Sequence, residues 1–397
     1  MSLDVLQRAA RTEAPSSAWS AVFATSLCSF ILVASEFMPV SLLTPIANEF
    51  AVSEGQIGQA IAASGALAVI TSLTISSATA RFDRKFVLLS LTALMIASAL
   101  IVGFAPNYTT LLVGRALLGI AIGGCWSMST ATAMRLVPTS SVPKAIAILG
   151  AGSALATTVA APLGSFLGDA VGWRGAFLCM APLAAIALVW QTVSLPSMPN
   201  LRRSATWNVF RLLVEPKVLF GMAAIMFLFM GQFSLFTYLR PFLETATGVD
   251  VNTLSMVLLA FGVAGLVGTL MIGQLLNDRL HLVLGVIPLL MSAMALTLIF
   301  VGEWLAATAI ILGAWGLIST PAPVAWGTWL SRVLPEDAEA GGGLMVATIQ
   351  LAITLGALIG GAVFDAYGYQ TTFASSALLL LVSAVLAMIT ARISRTR

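Results

Sequence analysis

Glu36 stands in Val33-Ala34-Ser35-Glu36-Phe37-Met38-Pro39-Val40, inside a largely apolar run. A carboxylate there costs several kcal/mol unless it is neutralised or faces water, which marks it as functional by default. Thr25, Ser29 and Glu36 are spaced by four and seven residues, so they share one helix face polar enough to line a cavity. Burial penalises the charged form, so a carboxyl on that face is suited to load and release a proton or to bind a solute. The competing reading is a carboxylate fixed by an arginine. Arg115, in Gly114-Arg115-Ala116-Leu117-Leu118-Gly119, is the natural candidate. Glu36 lies eight residues, about 12 Å, from Thr44, and Arg115 six residues, about 9 Å, from Thr109. At that similar depth they can pair or compete for one proton, and protonation of Glu36 would bias two conformations. Alternatively, Arg115 only braces helices by bonding carbonyls.

Weaker candidates surround these two. Arg240, in Phe236-Thr237-Tyr238-Leu239-Arg240-Pro241, either pairs with Glu244 at i,i+4 or faces a cavity below Pro241, which kinks or ends its helix. Arg115, Gly119, Ile122 and Trp126 share one helix side, and Trp315, Ser319 and Trp326 another, which Pro321 and Pro323 distort. Such rings suit stacking on a planar solute, with Gln232 and Gln350 as paired donors and acceptors and Tyr238 as a further contact; ordinary packing is the competing reading for each. Asp83-Arg84-Lys85 is a charge cluster whose Asp83 and Arg84 are candidates for a conformational latch, or simply set topology.

Other chemistry is excluded. The single histidine, His281, sits in a loop and carries no assigned role, and no Gly-rich loop ends in Lys-Ser or Lys-Thr. Cys28, Cys125 and Cys179 match no metal or disulfide framework and read as small apolar fillers. No enzyme activity, metal or cofactor is expected, with protons as the expected coupling ion.

The elements that must position these residues follow from composition. Of 397 residues, 59% are hydrophobic and 9% charged, against roughly a quarter charged in soluble domains. The apolar runs predict spans at 19–44, 56–80, 86–104, 109–136, 143–168, 174–194, 218–243, 253–276, 282–301, 304–332, 341–364 and 370–391. The expected fold is an all-α integral membrane protein of twelve transmembrane helices in two pseudo-symmetric six-helix bundles. Residues 1–194 form the first bundle, 195–217 a cytoplasmic connector with prolines and basic residues, and 218–397 the second. The polar N-terminal stretch reads as a tail before an uncleaved first helix.

The halves repeat. Leu163-Gly164-Ser165 through Asp169 to Trp173 resembles Ile359-Gly360-Gly361 through Asp365 to Tyr369 at an offset of 196, and Phe177 meets Phe373 at the same offset. Asp83-Arg84 matches Asp278-Arg279, and Arg135 with Pro138 matches Arg332 with Pro335, at nearly that spacing. All Lys and Arg except Arg115, Arg174 and Arg240 fall on the side of the termini and connector, so both termini are expected in the cytoplasm of a bacterial inner membrane. The net charge of +3 reflects topology, not nucleic acid. One chain holds both halves, so a functional monomer in the lipid bilayer, acting on a small-molecule substrate between the halves, is the expected assembly.

Asp83-Arg84-Lys85, Gly114-Arg115-Ala116-Leu117-Leu118-Gly119 and Gly152 through Ala161-Pro162-Leu163-Gly164-Ser165 resemble motifs of the major facilitator superfamily, in its bacterial drug:proton antiporter branch. Thr79, Phe86, Ala161 and Ser165 stand where glycines are usual there. Glu36-Phe37-Met38-Pro39-Val40, Met134-Arg135-Leu136-Val137-Pro138 and Gly231-Gln232-Phe233 are similar to the purine ribonucleoside exporters of that family. The resemblance implies proton-driven export of nucleosides such as inosine or guanosine by alternating access. Sugar exporters share the Glu-Phe-x-Pro-Val signature, so sugar or drug efflux is the alternative within the class. A non-transporting membrane sensor is the alternative outside it.

Overall fold

In a bilayer, backbone N–H and C=O groups find no water, so apolar runs of this length must close their hydrogen bonds within helices. The computed structural model describes residues 16–138, 141–199, 211–334 and 338–395. The N-terminal residues 1–15, Arg202 and Arg203 of the connector, Pro335 and residues 396–397 lie outside the described residues.

The first part of the chain forms α1 (Ser16–Phe50), α2 (Glu54–Ala78), α3 (Arg84–Gly103), α4 (Tyr108–Leu136), α5 (Val142–Leu178) and α6 (Met180–Ser194). The second forms α7 (Pro216–Phe236), the short α8 (Leu239–Phe242), α9 (Val251–Val301), α10 (Leu305–Ser319), α11 (Ala322–Val333) and α12 (Ala338–Arg395). Among the described residues, ten apolar stretches are long enough to cross a membrane, but two of them, Lys144–Ser194 and Ala340–Ile393, run for 51 and 54 residues. That is more than twice one crossing. Each is interrupted by one glycine with φ +75°, Gly172 in α5 and Gly368 in α12. Each stretch therefore holds two crossings, which brings the total to twelve.

Gly172 and Gly368 are themselves 196 residues apart, so the sequence repeat is also a repeat of backbone conformation. A Cβ at either would meet nothing within 4 Å, so an alanine there is opposed by its backbone alone. Gly172→Ala or Gly368→Ala is expected to cost about 1–3 kcal/mol, since their positive φ with ψ near 180° is essentially confined to glycine. A lowered thermal unfolding temperature in detergent checks this, with Gly→Asn no closer to wild type than Gly→Ala for the same reason.

Two predicted spans are broken in the structure. The span expected at 218–243 ends as α7 at Phe236, and Tyr238 takes φ −102° and ψ 17° before α8 begins. Pro241 lacks an N–H and its ring crowds the carbonyl four residues earlier, at Thr237, so the helix breaks there. The span expected at 304–332 is α10 and α11, parted at Thr320 and Pro321. Conversely, α1 runs beyond the predicted 19–44 and continues through Pro39 and Pro45.

Within the first half, α1 packs on α5 and α2 on α4; within the second, α7 packs on α12. Gly119 lets α4 reach the backbone of α2, where a Cβ would strike the Ser64 carbonyl. Between halves, α2 meets α12 and α5 meets α9.

At the end of the bundle that carries the connector, Asp83 caps α3 by accepting from Lys85 N–H at 2.8 Å. It also accepts from Met198 N–H at 2.9 Å and from the Ser197 hydroxyl, while Arg84 N–H donates to the Met198 carbonyl at 3.1 Å. Partial burial works against the Asp83 carboxylate, but these hydrogen bonds and the Lys85 charge outweigh it and hold the carboxyl below its ordinary range. These contacts of the expected latch residues clasp the connector to the first half. Arg135 adds to that clasp through the Pro199 carbonyl at 3.1 Å.

Candidate functional site

Glu36 is buried, with 4% of its surface exposed, midway along α1. Its Oε1 accepts from Gln350 Nε2 of α12 at 3.1 Å, so the carboxylate is tied across the two halves. The carbonyl oxygen of that same glutamine, Gln350 Oε1, is buried without a hydrogen-bond partner among the described residues.

Arg115 is 1% exposed on α4 and lies below this contact. Its expected pairing with the Glu36 carboxylate is not what the guanidinium does. Nη1 donates to the Ser35 carbonyl at 2.7 Å, Nη2 to the Glu36 backbone carbonyl at 3.1 Å and to Ser64 Oγ at 3.0 Å, and Nε to the Ala60 carbonyl at 3.3 Å. A rigid fork of donors suits carbonyls presented by two helices. Arg115 therefore braces α1 and α2 directly beneath Glu36. A cavity of about 10 Å³ beside it, lined by Ser35, Ser98 and Phe177 among others, has room for roughly one water.

One residue beyond Glu36, Phe37 stacks on Phe233 of α7, with ring centroids 5.6 Å apart and planes at 19°. Gln232 and Phe233 are the repeat equivalents of Glu36 and Phe37, at offset 196. Like residues of the two halves thus meet where the halves join. Gln232 is half-buried, and its Oε1 has no partner among the described residues.

From this level toward the end away from the connector, the halves are sealed in layers. Arg240 donates to the Ser41 carbonyl of α1 and, through Nε at 2.7 Å, to Glu244. The i,i+4 pair of the first reading forms, and the same guanidinium grips a backbone carbonyl of the opposite half where the second reading expected it to face a cavity. Further out, Asp365 of α12 accepts from the Ser53 hydroxyl at 2.5 Å and from Gly55 N–H at 3.0 Å. It caps the positive N-terminus of α2 from the other half. Ser255 of α9 donates to Ser165 of α5 at 2.9 Å on the opposite flank. Asp365→Asn removes the charge that favours the helix terminus and is expected to loosen this seal. With the three cysteines replaced by alanine and Thr354→Cys as reporter, maleimide labelling should accelerate about tenfold, the worth of a charge-assisted hydrogen bond. An unchanged labelling rate would remove Asp365 as a gate.

The structure does not bring the other expected residues to Glu36. Trp126 is 37% exposed and lies eleven residues, about 16 Å, along α4 from Arg115. Trp326 is fully packed edge-on against Trp329, centroids 5.3 Å apart. Tyr238 is fully buried, donates to the Ala357 carbonyl at 2.6 Å and stacks on Phe364 at 5.1 Å. It fills the helix contact beneath Gly58 and Gly361. Sequence reasoning did not single out Phe37, Phe233 or Asp365 as site residues. The repeat offset that pairs Glu36-Phe37 with Gln232-Phe233 was the signal available for the first two.

The comparisons with known proteins agree with this architecture. The family model described as Major Facilitator Superfamily matches residues 25–351. The chain is 54% identical over 396 residues to the Transcription regulatory protein OpdE of Pseudomonas aeruginosa, covering 99% of this chain and 98% of that one. It is 42% identical over 376 residues to the Purine ribonucleoside efflux pump NepI of Salmonella enteritidis, covering 95% of each. Among solved structures it resembles a bacterial homologue of the human lysosomal transporter Spinster, with a TM-score of 0.76 at 14% identity over 95% of this chain and 98% of that one. It also resembles the human organic anion transporter MFSD10, with a TM-score of 0.69 at 17% identity over 94% and 99%. Matched over most of its length by the family model, and with the same twelve-crossing fold as transporters of distant sequence, this multi-pass membrane protein belongs to the Major Facilitator Superfamily and is a transporter rather than an enzyme.

Proposed function

We propose that the chain is a proton-coupled exporter of purine ribonucleosides working by alternating access. One observation carries this reading. Glu36, the carboxylate buried at the junction of the halves, takes its hydrogen bond from the opposite half through Gln350, while Arg115 is engaged on backbone carbonyls and Ser64. The carboxylate is therefore free to exchange ligands. A proton converts a charged acceptor into a neutral acid and weakens any bond made to it by solute or by Gln350. Solute and proton thus compete for one group, and a carrier that reorients with either but not both exchanges them. The nucleoside assignment rests on the 42% identity to an efflux pump so named, over nearly the full length of both chains.

The bias of basic residues toward the connector end supports a cytoplasmic position for it. The sealed end is then periplasmic, and the structure corresponds to the carrier closed to the outside. The chain works as a monomer in the bacterial inner membrane, with protons as its only coupling ion. The test is flux in proteoliposomes: with a pH gradient imposed, radiolabelled inosine and guanosine should accumulate against their own gradients. Absence of flux for either removes the nucleoside assignment and leaves the fold untouched. A second reading is favoured by the name of the 54% identical relative: the chain acts in regulation, and its solute site serves as a sensor. Binding of a solute without flux of that solute would select it.

A further inference from the structure

We infer that the Glu36 carboxylate and the Gln350 carbonyl oxygen form an acceptor edge that reads adjacent N–H donors on a planar base, so that the preferred solute is a guanine-type nucleoside; this rests on the nucleoside reading above. The argument is an inventory of donors and acceptors where the halves meet. A carboxylate offers about four lone-pair sites, and Glu36 uses one of them, for Gln350 Nε2. Gln350 is 5% exposed, and its Oε1 is buried and unpartnered among the described residues, within one amide group of Glu36. The strong donor closest to hand, Arg115, is held by three carbonyls and Ser64.

A buried acceptor left without a donor is costly, so the ligand that relieves this edge presents donors. Guanine offers two parallel ones, N1–H and the exocyclic amine, which match the two oxygens of a carboxylate in a bidentate bond. Hypoxanthine keeps only N1–H on that edge. Adenine presents its ring nitrogen there as an acceptor, against which the carboxylate is repulsive. Beside the edge lies the Phe37–Phe233 pair, whose half-buried Phe37 gives a π-face for the heterocycle. Recognition and coupling then use one group, because a proton on Glu36 removes its charge and one of its two acceptor oxygens and so weakens its hold on the base.

The test is competition in wild-type proteoliposomes, without a pH gradient. Unlabelled guanosine, inosine, adenosine and 1-methylguanosine compete against counterflow of radiolabelled inosine. Guanosine is expected to inhibit at a concentration about tenfold below inosine, the worth of one added hydrogen bond to a charged group. Adenosine and 1-methylguanosine, whose N1 donor is absent or blocked, should need at least about tenfold more than guanosine. In Glu36→Gln, which removes the proposed ligand and so weakens binding, the advantage of guanosine over inosine in the remaining counterflow should shrink to within about twofold. Adenosine or 1-methylguanosine competing as well as guanosine, or an unchanged ranking in Glu36→Gln, overturns the acceptor-edge assignment alone. Absence of any inosine counterflow in wild type overturns it together with the nucleoside reading.

Discussion

In Glu36→Gln, uphill nucleoside transport driven by a pH gradient is expected to fall to the level of protein-free vesicles. Glutamine is nearly isosteric, and its amide oxygen still accepts from Gln350 Nε2, so the cross-half contact and the fold persist. What disappears is the group that changes charge. Counterflow, which needs reorientation but no proton, should persist within about fivefold of wild type, the cost of turning a charge-assisted hydrogen bond into a neutral one. Measuring both on the same vesicles separates coupling from binding. Full gradient-driven transport by the variant would show that the proton travels through another group.

Arg115→Ala is expected to be the most damaging single change to stability. The side chain is 1% exposed and holds the backbone carbonyls of Ser35, Glu36 and Ala60 together with Ser64. Its removal leaves those acceptors unpaired in a water-poor interior and strips Glu36 of the nearest positive charge. Losses of this kind run to about 3–5 kcal/mol. Arg115→Lys decides what the residue is for. An ammonium keeps the charge but reaches only one or two of these acceptors from a flexible stem. If Arg115 mainly balances charge, the lysine variant should purify and melt like wild type. If it is a brace, lysine should be nearly as damaging as alanine, with a large drop in detergent melting temperature. The four hydrogen bonds favour the second outcome.

Membrane residence, the twelve crossings and the twofold repeat were legible in the sequence because they depend on local properties. Hydrophobic run length sets crossings, and a recurring pattern at one offset sets the repeat. Gly172 and Gly368 sit inside the repeated segments that carry Asp169 with Trp173 and Asp365 with Tyr369, so the sequence already held the two places where apolar stretches of 51 and 54 residues divide. The break of α7 at Thr237 and Tyr238 was readable only in part. Pro241 announces a disruption, but its effect falls four residues earlier, where the crowded carbonyl is.

The candidate site divides in the same way. Sequence by itself determined that Glu36 and Arg115 are charges at similar depth within apolar helices, because rise per residue fixes depth. It did not determine what they touch, since that depends on how each helix is rotated and how closely its neighbours approach. Gly119 brings α4 onto the backbone of α2, and this nearness turns the guanidinium toward the carbonyls of Ala60, Ser35 and Glu36, away from the carboxylate. The meeting of Phe37 with Phe233 and of Glu36 with Gln350, 314 residues apart in the chain, likewise exists only once the halves are packed. Local sequence set which groups lie at the middle of the membrane. Tertiary structure decided which of them are spent on one another and which remain free to bind, because hydrogen bonds in a dry interior form between whichever donors and acceptors the packing places within about 3 Å.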